Sequence, residues 1–139
     1  MESQPEPVVG IFILNPRGEI LLLKSHKWNN LYVVPGGHIE NGERMEDAVI
    51  REAKEETGLD VFEPKFMCVY EYIDDGEYYK KDRYMIFLEF LAKTKGGKIK
   101  LNDESEEYVW VKPEDSLTLP LYRYTRQAIE DYVIKGKLS

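Results

Sequence analysis

The sequence has a single cysteine, no long hydrophobic segment and a deficit of positive charge. Cys68 cannot form an internal disulfide, which fits a reducing compartment. The longest apolar runs, such as 8–14 and 85–88, are too short to cross a bilayer. The first ten residues show no basic leader followed by an apolar stretch, so no secretory signal is visible. We therefore expect a cytoplasmic protein with no membrane partner.

The charge balance narrows the class of ligand. The chain has 19 Lys and Arg against 26 Asp and Glu, a net charge of −7, which argues against binding to extended nucleic acid. A small polyphosphate is not excluded, because a bound metal ion reverses the local charge. With 139 residues, 42% of them hydrophobic, and no repeat or linker, the chain is expected to form one domain over 1–139.

Apolar periodicity predicts the order of the secondary structure elements. Strands are predicted over 8–15, 19–24, 31–34, 65–73, 83–92, 99–101 and 108–111. Helices are predicted over 43–57 and 121–134, and Gly58 is placed to end the first helix in a left-handed conformation. The order of strands, helix, strands and helix predicts an α/β fold with a mixed sheet flanked by helices.

The segment 37–59, GHIENGERMEDAVIREAKEETGL, carries the most chemistry. Glu52, Glu55 and Glu56 share one helix face, where their like charges repel each other. A bound Mg²⁺ would turn this repulsion into attraction, because hard cations take carboxylate oxygens as ligands. The alternative is a solvated helix face. Arg51 precedes Glu55 by four residues and is also expected to reach back to Glu43, which would clamp the loop to the helix.

This segment resembles the signature of the Nudix hydrolases. The matching residues, at the spacing of that signature, are Gly37, Glu43, Arg51, Glu52, Ala53, Glu55, Glu56, Gly58 and Leu59. Only Ala53 is a small choice for its position. The resemblance implies a Nudix-like α/β/α sandwich around a mixed β-sheet, with a loop-helix-loop metal site.

The resemblance also implies the chemistry. It implies hydrolysis of a nucleoside diphosphate linked to another moiety, in which Mg²⁺, or Mn²⁺ as a substitute, stabilises the charge on the phosphates. Glu52, Glu55 and Glu56 are the implied metal ligands, together with the carbonyl of Gly36. Glu52 or Glu55 is the implied general base. Gly37 is expected to let the backbone approach the substrate, while Glu43 and Arg51 hold the loop.

Residues outside this segment are assigned with alternatives. Lys24 is expected either to face the substrate phosphates or to be a surface lysine at a strand end. In the acidic run 103–107, Glu107 is expected to bring a further carboxylate to the metal; otherwise the run is a solvated loop. The basic residues Lys80, Lys81 and Arg83 either meet a phosphate or only increase solubility.

Two other functions stay open beside hydrolysis of a nucleoside triphosphate-type substrate. The first is hydrolysis of ADP-ribose or a nucleotide sugar, although the region IDDGE lacks the proline that often marks ADP-ribose enzymes. The second is a non-catalytic, nucleotide-binding regulatory domain, although no glutamate of the signature is lost. The expected partner is thus a small nucleotide diphosphate derivative, and the resemblance also allows a homodimer.

Overall fold

Alternating and continuous apolar residues build a central mixed sheet with helices on both faces. The computed structural model describes residues 4–138. Its strands are β1 Glu6–Leu14, β2 Ile20–Ser25, β3 Leu31–Val33, β4 Gly36–His38, β5 Phe62–Ile73, β6 Tyr84–Lys93 and β7 Glu107–Val111. Its helices are α1 Met45–Thr57, α2 Pro113–Ser116 and α3 Arg123–Leu138, with a 3-10 helix over His26–Trp28. The predicted mixed sheet flanked by helices is confirmed.

The strand order places β1 at the centre of the sheet. Among residues 4–138 the main path runs β3-β2-β1-β6-β5, while β4 pairs with β1 and β7 pairs with β2. β1 and β6 are parallel, and the other pairings are antiparallel. β4 pairs with β1 only through Val8, Val9 and Gly10, so it positions the start of the glutamate-rich segment against the middle of the sheet.

Each face of the sheet is covered by one helix layer. Side chains of β1 and β2 alternate, so that Val9, Ile11 and Leu23 pack with Ala48 and Val49 of α1 on one face. On the other face, Phe12, Ile20 and Leu22 pack with Ala128 and Ile129 of α3. Within residues 4–138, no helix is long and apolar enough to span a membrane.

The boundaries differ from the prediction at particular places. α1 begins at Met45, not at residue 43, because the Glu43 carboxylate accepts a hydrogen bond from the Glu40 N–H at 3.0 Å and so stays in the loop. The predicted strand 99–101 is wrong. Ile99 and Leu101 pack against the core beside α1, but their segment pairs with no strand. Instead, the Lys100 N–H donates to the Thr57 carbonyl at 2.8 Å.

Two short elements were not predicted. β4 has no signal for a strand in the sequence, because Pro35, Gly36 and Gly37 carry no apolar pattern. α2 is four residues long, with Pro113 at its start, too short for helical periodicity to show. The predicted end of α1 is confirmed. Gly58 has φ 77° and its N–H donates to the Lys54 carbonyl at 3.0 Å.

Candidate active site

The two glycines of β4 allow the carboxylates of α1 to approach the sheet closely. The Gly36 N–H donates to Oε2 of Glu56 at 2.8 Å. A Cβ atom on Gly37 would lie 2.3 Å from the Glu52 carboxyl carbon, and one on Gly36 would lie 2.1 Å from the Val9 carbonyl oxygen. A larger residue at Gly36 would therefore push β4 away from the β1 backbone, and one at Gly37 would displace the Glu52 carboxylate.

Arg51 connects the loop to the glutamates of α1. Its guanidinium binds Glu43 through two hydrogen bonds of 2.8 and 2.9 Å and donates to the His38 carbonyl at 3.0 Å. It also contacts Glu52 at 3.0 Å and Glu55 at 3.2 Å. The hydrogen bonds from Arg51 lower the pKa of Glu43 to about 2. The structure thus brings Arg51 together with Glu43 and Glu55, as expected, and it adds contacts with Glu52 and with the His38 carbonyl.

The carboxylates of α1 differ in burial. Glu52 and Glu56 are buried, whereas the Glu55 side chain is 54% exposed. Burial raises the pKa of Glu52. Burial raises the pKa of Glu56 further, and the charges of Glu52 and Glu104 act in the same direction. Such crowding of buried carboxylates destabilises their ionised forms unless a cation is present.

A cavity of about 290 Å³ lies beside this segment. Glu56, Gly36 and Gly37 line one side of it, whereas Glu52 and Glu55 do not line it. Aromatic rings line another part, with the Trp28 ring centroid 4.5 Å from that of Tyr78 and 4.6 Å from that of Tyr122. The basic residues that line the cavity are Lys27, Lys80 and Arg83.

Of the residues expected outside the segment, Lys80 and Arg83 line the cavity, whereas Lys24, Lys81 and Glu107 do not. Lys24 and Glu107 face each other in the β2–β7 pair, with Nζ 3.4 Å from Oε1, and Glu107 also accepts from the Tyr32 hydroxyl at 3.3 Å. Neither residue lines the cavity. Their neighbours Lys27 and Glu104 line it and form an ion pair with each other. The acidic run therefore does reach the site, but through Glu104.

Sequence reasoning missed Lys27, Trp28, Glu89 and Glu104 as residues of the cavity. Lys27 and Trp28 belong to the 3-10 helix after β2, where no periodic pattern exists to orient them. Glu89 had a visible signal, since it is a charged residue in the apolar run MIFLEFLA of β6. An acid within such a run marks a buried polar position.

The donor set fits a hard divalent cation. Within residues 4–138, no three His, Cys, Asp or Glu side chains are arranged as a metal site. However, Glu56 is buried with its Oε2 on the Gly36 N–H, and the charges of Glu52 and Glu104 both act on it. Carboxylate and carbonyl oxygens are the ligands that Mg²⁺ takes, so the residues present suit this ion.

The fold and the site define an α/β protein with an acidic loop and helix beside an aromatic cavity. A family model described as the NUDIX domain matches residues 4–132. The nucleoside triphosphatase NudI of Escherichia coli O139:H28 (strain E24377A / ETEC) is 33% identical over 113 residues, which are 77% of this chain and 77% of that protein.

Solved structures agree with this similarity. The MutT NUDIX hydrolase from Burkholderia pseudomallei has a TM-score of 0.78 at 30% identity and covers 92% of this chain and 98% of its own. The MutT protein from Methanosarcina mazei Go1 has a TM-score of 0.81 at 26% identity, with 99% of each chain covered. The chain therefore belongs to the NUDIX family, and it is a hydrolase that acts on pyrophosphate anhydrides.

Proposed function

We propose that this chain is a Mg²⁺-dependent hydrolase that cleaves the pyrophosphate bond of a nucleoside triphosphate-type substrate, with Mn²⁺ as a substitute. The observation that carries the proposal is the position of Glu56. Its buried carboxylate opens into the same cavity as the Trp28 and Tyr78 rings and the basic residues Lys27 and Arg83. Carboxylates, cations and aromatic rings around one cavity match the metal, phosphates and base of a nucleotide.

Each residue of the segment has a role in this proposal. Glu52, Glu55 and Glu56 would hold the cation, together with the Gly36 carbonyl. The cation, when bound, supplies charge neutralisation for the phosphate oxygens. Glu52 or Glu55 accepts the proton of the attacking water. Gly37, which lines the cavity without a side chain, lets the backbone approach the phosphates.

Glu104 and Lys27 extend the site in place of Glu107 and Lys24. Glu104 lines the cavity, and its charge contributes to the raised pKa of Glu56. It therefore supplies the further carboxylate that the acidic run was expected to bring. Lys27 now pairs with Glu104, and an arriving phosphate competes with that carboxylate for the ammonium group.

The similarity to NudI supports a nucleoside triphosphate as the substrate. NudI of Escherichia coli is named a nucleoside triphosphatase. Because the aligned part covers 77% of that protein, the resemblance extends well beyond the 23 residues of the glutamate-rich segment. We therefore place nucleoside triphosphates ahead of ADP-ribose and nucleotide sugars as substrates.

The test is a substrate panel with product identification. Purified protein is incubated with each nucleoside triphosphate, ADP-ribose and a nucleotide sugar, with Mg²⁺, with Mn²⁺ or with a chelator. We expect cleavage of a triphosphate only when a divalent cation is present. Cleavage in the chelator, or of ADP-ribose alone, would contradict the proposal. Binding without cleavage under all conditions would instead indicate a regulatory nucleotide-binding domain.

Two variants assign the chemistry to the site. Glu56→Gln is expected to lower kcat by about 100-fold or more, because the amide is a poor replacement for a metal-binding carboxylate. Glu46→Gln is the matched control, since Glu46 lies on the same helix but is exposed. Its kcat should stay within about twofold of the unmodified protein. Equal activity of the two variants would remove Glu56 from the mechanism.

A further inference from the structure

Glu89 is a buried acid that has no role in the proposed hydrolysis. It lies in the middle of β6 and is 5% exposed. Its chain neighbours Leu88 and Phe90 pack on the α1 face of the sheet, so Glu89 points to the opposite face. There it lines the same cavity as Glu56, together with Thr125 of α3.

The neighbouring strands leave room for this carboxyl group. Gly10 of β1 is paired with Glu89, and a Cβ atom at Gly10 would lie 1.9 Å from Oε2 of Glu89. Gly10 is not among the glycines with positive φ, so its backbone does not require glycine. The space for the Glu89 carboxyl is what a larger residue at position 10 would remove.

One oxygen of this carboxyl group lacks a hydrogen-bond partner in the part of the chain that the structure describes. Among residues 4–138, Oε2 of Glu89 is the buried side-chain polar atom without a hydrogen-bond partner. Leaving a buried polar group unpaired is unfavourable, and native proteins contain few such groups. Burial also raises the pKa of Glu89 to about 7. The neutral form presents an O–H donor beside a C=O acceptor.

The cavity joins this acid to the proposed phosphate site. Glu56 and Gly37 line it at the glutamate-rich segment, Glu89 and Gly10 line it between β1 and β6, and the Trp28 ring lines it as well. A nucleotide held by its phosphates at Glu56 therefore extends into a cavity that the aromatic rings and Glu89 also line. The Watson–Crick edge of every nucleobase carries a donor next to an acceptor, and this is the edge that proteins read on an unpaired base.

We propose that Glu89 is a specificity-determining residue that hydrogen bonds with the polar edge of the substrate's nucleobase. This inference rests on the proposed function and names the part of the substrate that the site recognises. Gly10 is then a positioning residue that gives the carboxyl group its place.

The experiment compares a nucleotide with a base-free substrate. The preferred nucleoside triphosphate and ribose 5′-triphosphate are assayed with the unmodified protein, Glu89→Gln and Glu89→Leu. Glu89→Leu should raise KM for the nucleotide about 10- to 100-fold, because it removes both hydrogen bonds. Its KM for ribose 5′-triphosphate should not change. Glu89→Gln keeps a donor beside an acceptor, and its KM for the nucleotide should stay within about fivefold.

A second variant protects the test against misfolding. Gly10→Ala keeps the acid but displaces its carboxyl group. It should therefore raise KM for the nucleotide and leave KM for ribose 5′-triphosphate unchanged. Melting temperatures show whether each variant folds. An equal rise in KM for both substrates would overturn the inference. So would an unchanged KM for the nucleotide in both Glu89→Leu and Gly10→Ala.

Binding separates this inference from the proposed function. Calorimetry with an α,β-methylene nucleoside triphosphate measures the Kd without cleavage. The second ligand is tripolyphosphate, which has no base. If the protein cleaves no triphosphate but Glu89→Leu raises the Kd of the nucleotide more than that of tripolyphosphate, the proposed activity fails and the role of Glu89 stands. If hydrolysis occurs and the ratio of the two Kd values does not change, the activity stands and the role of Glu89 fails. If the unmodified protein binds neither ligand, both fail.

Discussion

Arg51 has more contacts with the acidic site than any other cation of the segment. Its guanidinium donates hydrogen bonds to both carboxylate oxygens of Glu43 and also contacts Glu52 and Glu55. A planar group with several donors can hold three carboxylates in fixed directions, which a point charge such as Lys cannot do. Glu52 and Glu55, for which we propose the catalytic role, therefore depend on Arg51 for orientation as well as for partial neutralisation.

We expect Arg51→Lys to lower kcat about 10- to 100-fold, the usual effect of losing a residue that orients metal ligands. Arg51→Ala should lower the melting temperature further, because Glu43 then loses its two charge-assisted hydrogen bonds. The measurement is steady-state kinetics paired with thermal unfolding. An Arg51→Ala protein with an unchanged melting temperature and no activity would contradict a loop-holding role.

Glu89 gives the protein a defined dependence of stability on pH. Its pKa is about 7 in the folded chain, against an ordinary value of 4.5, and the cause is burial. Below pH 4.5 both the folded and the unfolded chain keep the proton. As the pH rises to 7 the unfolded chain releases the proton that the folded chain retains, so folding becomes less favourable. Burial raises the pKa of Cys68, which is paired with Glu89 on β5, and the charge of Glu89 acts in the same direction.

The expected size of this effect is on the order of 3 kcal/mol between pH 4.5 and 7, from the difference of the two pKa values. Urea unfolding of the unmodified protein and of Glu89→Gln at several pH values measures it. The difference between the two free energies of unfolding should change with pH in this window, in favour of Glu89→Gln at the upper end. A constant difference would show that the pKa of Glu89 is the same in the folded and in the unfolded chain.

At the scale of elements, the end of α1 sets where the acidic helix meets the next segment. Gly58 has φ 77°, and an added Cβ atom would lie 3.4 Å from the Lys100 Cβ and 3.5 Å from its N. Gly58→Ala should therefore lower the free energy of unfolding by about 1 kcal/mol. Because α1 still carries Glu52 and Glu56, its kcat should not change.

Gly136→Ala is the matched control for this prediction. Gly136 lies within α3, and an added Cβ atom there meets no atom within 4 Å. Alanine favours a helix over glycine, so this change should be neutral or should raise the free energy of unfolding by up to about 1 kcal/mol. Denaturation of both variants in urea checks the pair. Equal effects would show that the left-handed conformation at Gly58 is not needed.

Element by element, the sequence predicted what a periodic pattern can encode. α1 and the long strands have repeated contacts with one core, and their apolar residues recur accordingly. Ile99 and Leu101 also pack in the core, but an apolar pair does not show whether its backbone finds a strand partner. β4 was missed because its glycines, which leave room for Glu52 and for the β1 backbone, carry no apolar pattern.

The same limit applies to the site, because the sequence shows local spacing but not which distant segments come together. The positions of Glu52 and Glu56 follow from helical spacing, which is local. The β2–β7 register pairs Glu107 with Lys24, so that Glu104 and not Glu107 lines the cavity. This register is not a local property of the sequence. Trp28, Tyr78 and Glu89 come from three different segments, so only the folded chain shows that they line one cavity.

At the scale of the whole molecule, the segment between β5 and β6 contributes part of the cavity. Tyr78 packs on Trp28 with ring centroids 4.5 Å apart, and the Tyr79 N–H donates to the Lys27 carbonyl at 2.7 Å. Asp75 accepts from the Tyr122 hydroxyl at 3.2 Å and pairs with Arg123 at 2.9 Å. The segment thus bridges the 3-10 helix and the start of α3, and the aromatic part of the cavity requires all three.

This arrangement makes Trp28 a reporter of nucleotide binding. Trp28 lines the cavity, whereas the other tryptophan, Trp110, packs in the core beside α1. A base that stacks among the aromatic rings changes the environment of Trp28 and leaves that of Trp110 as it was. With a non-hydrolysable nucleoside triphosphate and Mg²⁺, the fluorescence of Trp110→Phe should change, and that of Trp28→Phe should not.

The same signal tests how the acidic chain accepts an anionic ligand. The net charge is −7, and the crowded carboxylates of the site repel a triphosphate until a cation offsets them. Replacing Mg²⁺ by EDTA should therefore raise the Kd measured with Trp110→Phe by about tenfold or more. Adding Glu56→Gln to Trp110→Phe should reduce this dependence on Mg²⁺, because a repelling carboxylate and a metal ligand are lost together. A Kd that does not depend on Mg²⁺ in either protein would place the nucleotide outside the reach of Glu56.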